Sequence, residues 1–402
     1  MQVADFHLTY CTNIHPGESW EATFENLKEY IPKIKGELFV DKAFAIGLRV
    51  SDEASRELIK PTQLVEFKSW LKANNCYVFT FNGFPFGGFH RQVVKDEVHF
   101  PDWSTAARKE YTLRLFAILA ALVPTDMDGG ISTSPLSYKY WHKTSTDLNQ
   151  LMERSCAHIL EVVEYLYQLK LDQNLDLHLD IEPEPDGVIE DSSGMVRFYN
   201  DWLIPTGVPI LAEKFGISAE VAESVIKDHV RVCYDVCHFA VGYEDHKAVL
   251  DTFQKEGIKI GKFQLSAALK ANIPVEVSQR KPVEKALLPF VESTYLHQVI
   301  GRMEDNTLHA YSDLPDALLD LATTKELEWR VHFHVPLFLA TYGHLQSTQE
   351  DILSVLKLNG ERKLTSHLEV ETYTWEVLPE DIHLSLNQSI ARELNWVKNH
   401  IE

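Results

Sequence analysis

The run "LDLHLDIE", residues 175–182, alternates with a period of two. Asp176, His178, Asp180 and Glu182 fall on one side, and Leu175, Leu177, Leu179 and Ile181 on the other. Four more short runs do the same. "HLEVE" (367–371) sets His367, Glu369 and Glu371 opposite Leu368 and Val370, and "VRVCYD" (230–235) sets Arg231, Cys233 and Asp235 opposite Val230, Val232 and Tyr234. "KFQL" (262–265) sets Lys262 and Gln264 opposite Phe263 and Leu265, and "WRVHFHV" (329–335) sets Arg330, His332 and His334 opposite Val331, Phe333 and Val335. An antiparallel sheet with one face in water would alternate in the same way. The segments between these runs separate the two readings.

Those segments carry helical periodicity. "FHLTYCT" (6–12) is followed by "GESWEATFENLKEYIPKIK" (17–35). "GGISTSPLSYK" (129–139) is followed by a long run whose apolar positions 148, 151, 152, 159, 160, 163 and 166 fit a 3.6-residue period. Parallel neighbours require a crossover, usually a helix, so strands alternating with helices predict a parallel sheet. Eight or nine such units over 402 residues predict an α/β fold, a (β/α)8 TIM barrel spanning 1–402 as a single domain. The less regular stretch 268–327 reads as an insertion late in the barrel. Neither GxGxxG nor GxxxxGK[ST] occurs, which weakens a nucleotide-binding reading.

Composition narrows the function classes. Apolar residues make up 45% and charged residues 24%, enough to bury a sizeable core. The net charge of −21 repels phosphate backbones and anionic membranes, so a small molecule is the expected partner, with no nucleic acid and no stable membrane association. Five scattered cysteines without a CxxC pair predict no disulfide framework, and the start of the chain shows no signal-peptide pattern, so the expected location is cytoplasmic. Cys233 and Cys237 have no recognised zinc spacing and read as buried packing.

In a barrel the apolar face meets the helices, so the polar columns point inward. Arg231, Lys262 and Arg330 are then expected to neutralise Asp176, Asp180 and Glu369 low in the barrel, because inward charges are costly unless paired. The last residue of each column emerges at the C-terminal rim, where barrel active sites lie. Glu182, Asp235, Gln264, His334 and Glu371 occupy such ends, and His238 follows one. Each alone reads equally well as half of an ion pair. Their convergence points to a divalent metal ion of the Zn, Mn, Co or Mg type, because carboxylate and imidazole donors suit these cations.

At these residues the chain resembles the xylose isomerase-like barrel superfamily of sugar isomerases, ketose epimerases and zinc-dependent apurinic endonucleases. "CYDVCH" (233–238) is similar to that superfamily's D-x-x-H strand end, which implies Asp235 as metal ligand and His238 as a substrate contact or second-metal ligand. "LDIEP" (179–183) and "LEVET" (368–372) resemble the strands whose terminal glutamates bind metal and act as acid/base, which implies those roles for Glu182 and Glu371. Where the superfamily often has a histidine ligand in H-x-H-L, this chain has Gln264 in "KFQLS", and His334 is the available substitute. A resemblance along the whole chain, in "HLTYCTNIHPGESW" (7–20), "FNGFPFGGFH" (81–90), "VHFHVP" (331–336) and "HLEVETYTWEVLP" (367–379), is to the EboE metabolite traffic family. That resemblance implies a cytoplasmic barrel linked to export of secondary-metabolite precursors, with partners from the same gene cluster.

The function this reading predicts is a metal-dependent isomerase or epimerase acting on a small polyhydroxylated or carbonyl metabolite. The ion would stabilise an enediolate, with Glu182 and Glu371 removing and returning a proton. His238, His15, Asn82, Phe84, Glu184 and His332 form the expected substrate contacts. Asn13, Phe86 and His90 complete a wall and an aromatic lid, although His15 and His90 also read as ordinary loop residues. Tyr373 and Trp375 either stack on substrate or pack under the final helix. The alternative is a non-catalytic binding or traffic protein with a degenerate metal pocket, favoured by Gln264. Nuclease chemistry ranks third, opposed by the charge and by too few early histidines.

Overall fold

Eight short strands, joined by connections that carry helices, run parallel around a ring. They are β1 (Phe6–Tyr10), β2 (Phe44–Arg49), β3 (Cys76–Asn82), β4 (Gly129–Thr133), β5 (Leu177–Ile181), β6 (Val230–Asp235), β7 (Ile260–Leu265) and β8 (His367–Val370). Parallel ladders join β2 through β8 in order, and β8 also pairs with β1. The ring closes between β1 and β2 at a single Cys11–Gly47 bridge. Side chains take over where the ladder is thin: Thr9 Oγ1 donates to Ala45 O (2.9 Å) and accepts from Gly47 N (2.7 Å), and Thr12 Oγ1 accepts from Arg49 N (2.9 Å). The computed structural model describes residues 1–38, 42–88, 94–292, 294–372, 374–375 and 385–401.

The alternation in sequence has the expected physical meaning in the strands that build the ring. Leu177, Leu179 and Ile181 face the helices and are fully buried, while His178 and Asp180 are equally buried inside the barrel. The crossover helices begin where side chains satisfy their free N–H groups. Ser19 caps Trp20–Glu37, Thr105 caps Ala106–Leu122 and Thr144 caps Ser145–Gln173. The last of these ends at Asn174 in the left-handed region (φ 55°). Among the described residues no helix is long and apolar enough to cross a membrane.

A second, antiparallel sheet grows from the end of β7. Its six strands lie in the order 308–311, 299–302, 328–335, 267–272, 345–347, 341–342. The run 328–335, expected to be a barrel strand, is a central strand here, between 299–302 and 267–272. Its alternation matched that of a barrel strand, but its hydrogen-bonding partners are antiparallel. Three expected neutralisations change with it. Arg330 lies outside the barrel, bonded to Glu328 (2.9 Å) and to Ala240 O (2.7 Å). Asp176 is exposed and paired with Lys170 (2.7 Å), and Arg231 reaches Asp128 (3.1 Å). Lys262 does pair with Glu369 inside the barrel.

Candidate metal centre and substrate cleft

Asp235 ends β6 and caps the short helix Val236–Val241, its Oδ1 accepting from Cys237 N (2.8 Å) and His238 N (3.3 Å). This capping explains why a ligand-rich segment sits where the strand gives out. Oδ1 is held by the helix N-terminus and by Ser266, which leaves Oδ2 directed at the barrel mouth. There it meets Glu182 and Glu371, and one carboxylate oxygen from each of the three lies within 4.8 Å of the others. Gln264 stands among them. Its Nε2 donates to Glu182 Oε1 (3.2 Å), Asp235 Oδ2 (3.4 Å) and Glu371 Oε2, while its Oε1 faces the Cys233 thiol at 3.6 Å.

Three buried carboxylates sharing one neutral amide donor carry uncompensated charge. Lys262 is already engaged with Glu369 one layer below. Burial first, then Glu371 and Asp235, push Glu182 well above the usual carboxylate range; burial first, then Asp235 and Glu369, raise Glu371. Glu182 Oε2 is buried without a hydrogen-bond partner. Such a cluster must take up protons or hold a cation. His334 stands 3.9 Å from Asp235 Oδ2 and 3.8 Å from Glu371 Oε2, and burial holds it down at about 4, so its imidazole is neutral and fit to ligate. The donor set therefore suits a divalent ion, with Glu182, Asp235, Glu371 and His334 as the residues able to hold it.

Above the carboxylates lies a cleft of about 640 Å³, counting its open mouth. The second sheet brings His332 and His334 over it, beside a break in the ladder between Val331 and His334. His238 packs against His332 at 4.7 Å, and its Nδ1 donates to Pro183 O (2.9 Å). Burial, followed by neighbouring histidines, pushes His332 well below the usual imidazole range. Glu184 lines the same wall, 2.9 Å from His99. On the opposite side Asn13 and Asn82 donate to Glu371 Oε1 at 2.6 and 3.0 Å, and Phe84 supplies an apolar face. Arg108, fully buried, holds that wall through Pro101 O, Gly83 O and Phe84 O at 2.8–2.9 Å.

Of the residues singled out from sequence, Glu182, Glu184, Asp235, His238, Gln264, His332, His334, Glu371, Asn13, Asn82 and Phe84 come together here. His15 does not: it stacks on Tyr30 at 4.3 Å and bonds the Tyr10 hydroxyl at 2.8 Å, away from the cleft. Phe86 packs on Tyr111, and Trp375 stacks on Phe338. His90 and Tyr373 lie outside the described residues. Cys233 and Cys237 are buried, and burial pushes both thiols well up, as packing residues behave. Sequence reasoning missed His99, in a short 3-10 turn, and Gln298, just before the strand 299–302 of the second sheet. Neither sits in a periodic run, so no local signal pointed to them.

No family model and no curated protein matches this chain. Among solved structures, a xylose isomerase-like TIM barrel protein from Mycobacterium smegmatis, in complex with magnesium, matches with a TM-score of 0.50 and 10% identity, covering 100% of this chain and 98% of its own. The IOLI protein with a binding zinc atom matches at 0.48 and 11% identity, with 98% of each chain covered. The probable 3-DHS dehydratase AsbF of Bacillus anthracis matches at 0.44 and 11%, again over 98% of each. The fold is a (β/α)8 barrel, shared with the magnesium-bound barrel structure.

Proposed function

We propose that this chain is a divalent-metal-dependent isomerase or epimerase acting on a small polyhydroxylated or carbonyl metabolite. The observation that carries this reading is the buried trio Glu182, Asp235 and Glu371 at the floor of an open cleft, with Glu182 Oε2 unpartnered. Glu182, Asp235, Glu371 and His334, with Gln264 after rotation of its amide, would hold the ion. When bound, the ion supplies Lewis-acid polarisation of a carbonyl and its neighbouring hydroxyl.

The protein's own groups divide the remaining work. Glu371 receives three amide donors, from Asn13, Asn82 and Gln264, which favour its ionised form and fit it as the base. Glu182, with the stronger upward push, fits the proton-holding partner. Glu371 takes the proton from the carbon beside the carbonyl, and the C–H electron pair moves toward the carbonyl oxygen. For the isomer, Glu182 returns a proton to the former carbonyl carbon while the neighbouring hydroxyl gives its proton to the former carbonyl oxygen. For the epimer, Glu182 returns the proton to the opposite face of the same carbon and the carbonyl re-forms. His238, His332, Glu184, His99 and Gln298 present donors and acceptors for hydroxyls, and Phe84 packs against carbon. The five unpaired cysteines fit a reducing, cytoplasmic setting.

A second reading, a non-catalytic metabolite-binding protein of the EboE traffic type working with gene-cluster partners, is favoured by one observation. The Gln264 amide directs its NH2 into the carboxylates, where it stands in for a cation. Elemental mass spectrometry of wild type, Glu182→Gln and Asp235→Asn separates the two. The enzyme reading expects each variant to lose one equivalent of Mn, Zn or Co relative to wild type. It also expects Glu371→Gln to slow deuterium exchange from solvent into a turned-over substrate by about 10²-fold or more. Metal content identical in wild type and both variants would overturn it.

A further inference from the structure

At the opposite, N-terminal pole of the barrel a second cluster of metal-type donors is assembled. Asp128 immediately precedes β4, His178 lies near the start of β5, and His367 begins β8. One donor atom from each falls within 4.8 Å of the others. We propose that Asp128, His178 and His367 form a second divalent-cation site, of the zinc class, that ties β4, β5 and β8 together beneath the catalytic end.

His178 Nε2 stands 3.6 Å from Asp128 Oδ2, and His367 Nε2 stands 3.0 Å from Asp128 Oδ1. Two ligands, each about 2.05 Å from a tetrahedral ion, lie about 3.3 Å from one another, and the 3.0 Å between His367 Nε2 and Asp128 Oδ1 is close to that value. A contact of 3.6 Å is too long for a hydrogen bond. His178 Nε2 and His367 Nδ1 are buried without a hydrogen-bond partner, although the two side chains are 0% and 1% exposed, and His367 Nε2 is paired with Asp128 Oδ1. Buried imidazoles in an ordinary polar network are not left in that state.

The surroundings are those of a ligand set. The other ring nitrogen of His178 is bonded to Asp180 Oδ1 at 2.6 Å, which orients Nε2 into the cluster and raises its basicity. A Cβ at Gly130 would collide with the His178 ring and with Asp180, so a glycine is needed to clear this corner. Arg231 occupies Asp128 Oδ2 at 3.1 Å, which leaves Oδ1 for the ion. Asp128 is 32% exposed and gives the ion its path in from solvent. Two imidazoles with one carboxylate favour Zn²⁺, Ni²⁺ or Co²⁺, whereas the carboxylate-rich floor of the cleft favours Mn²⁺ or Mg²⁺. The two poles should therefore sort metals by donor type.

Chelator-stripped protein titrated with Zn²⁺ by calorimetry, and with Co²⁺ by visible absorption, tests the assignment. In an Asp235→Asn background, which disables the upper site, one equivalent of Zn²⁺ should still bind and Co²⁺ should give the intense bands of a four-coordinate imidazole site. Adding His367→Gln or Asp128→Asn should weaken that binding at least tenfold and remove the bands. Should the buried His367→Gln substitution prevent folding, Asp128→Asn, near-isosteric and partly exposed, decides alone. Unchanged Zn²⁺ binding in Asp128→Asn, or none in the Asp235→Asn parent, would overturn the proposal.

Discussion

Lys262 on β7 and Glu369 on β8 form an ion pair at the centre of the barrel, with side chains 1% and 0% exposed. Gln264 lies two residues further along β7 and Glu371 just past the end of β8, so this pair is the floor on which the candidate metal centre rests. Burial alone would depress the Lys262 ammonium; Glu369 outweighs it and keeps the charge.

Removing one partner leaves the other charge buried and alone. Lys262→Met should destabilise the fold by about 3–5 kcal/mol, and the double variant Lys262→Met, Glu369→Leu by clearly less, in urea unfolding. A double variant that loses as much as Lys262→Met, or more, would contradict an unpaired buried charge as the cause.

Gly47 sits on β2 at the seam of the ring, where a Cβ would come within 2.6 Å of Tyr10 O and collide with Glu369 Oε1. Gly47→Ala should cost about 1–3 kcal/mol through strain at this junction. Thermal unfolding measures it, and a neutral result would mean that β1 and β2 can part without penalty.

The upward shifts of Glu182 and Glu371 have a definite sign. A carboxyl whose folded pKa is raised contributes stability that is complete below its unfolded value and is lost as pH rises through the folded one. Metal binding needs the ionised forms. Mn²⁺ should therefore raise Tm little near about pH 5 and progressively more toward about pH 8. A Tm gain that is flat or falling across this range would contradict ligation by these carboxylates.

Glu393 offers a control outside the site. Burial pushes it up to about 8, with Thr372 Oγ1 (2.7 Å) and Leu337 N (3.1 Å) donating to its Oε1. Wild type should lose the associated stability as pH rises from about 4.5 through about 8. Glu393→Gln keeps the acceptor and removes the titration, so its advantage in Tm over wild type should widen across that window.

Gln264 decides between the two functional readings. Gln264→His replaces an uncharged amide by a stronger ligand and should tighten Zn²⁺ binding at the upper site by about tenfold or more in titration calorimetry. An unchanged affinity would remove position 264 from the ligand set and favour the binding-only reading.

The sequence by itself determined the ring and its rim. Period-two alternation assigns each side chain to one side of a strand, and helical segments between strands force a parallel order. Together these place Glu182, Asp235, Gln264 and Glu371 at one end of the barrel. Only the tertiary structure decided what local pattern does not encode. The run 328–335 alternates like a barrel strand, but its partners 299–302 and 267–272 make it part of an antiparallel sheet. His99 and Gln298 reach the cleft, and Asp128 reaches His178 and His367, through chain closures of dozens to hundreds of residues. Alternation records which side of a strand is buried; which distant strand or loop lies alongside is set by three-dimensional packing, and that had to be seen.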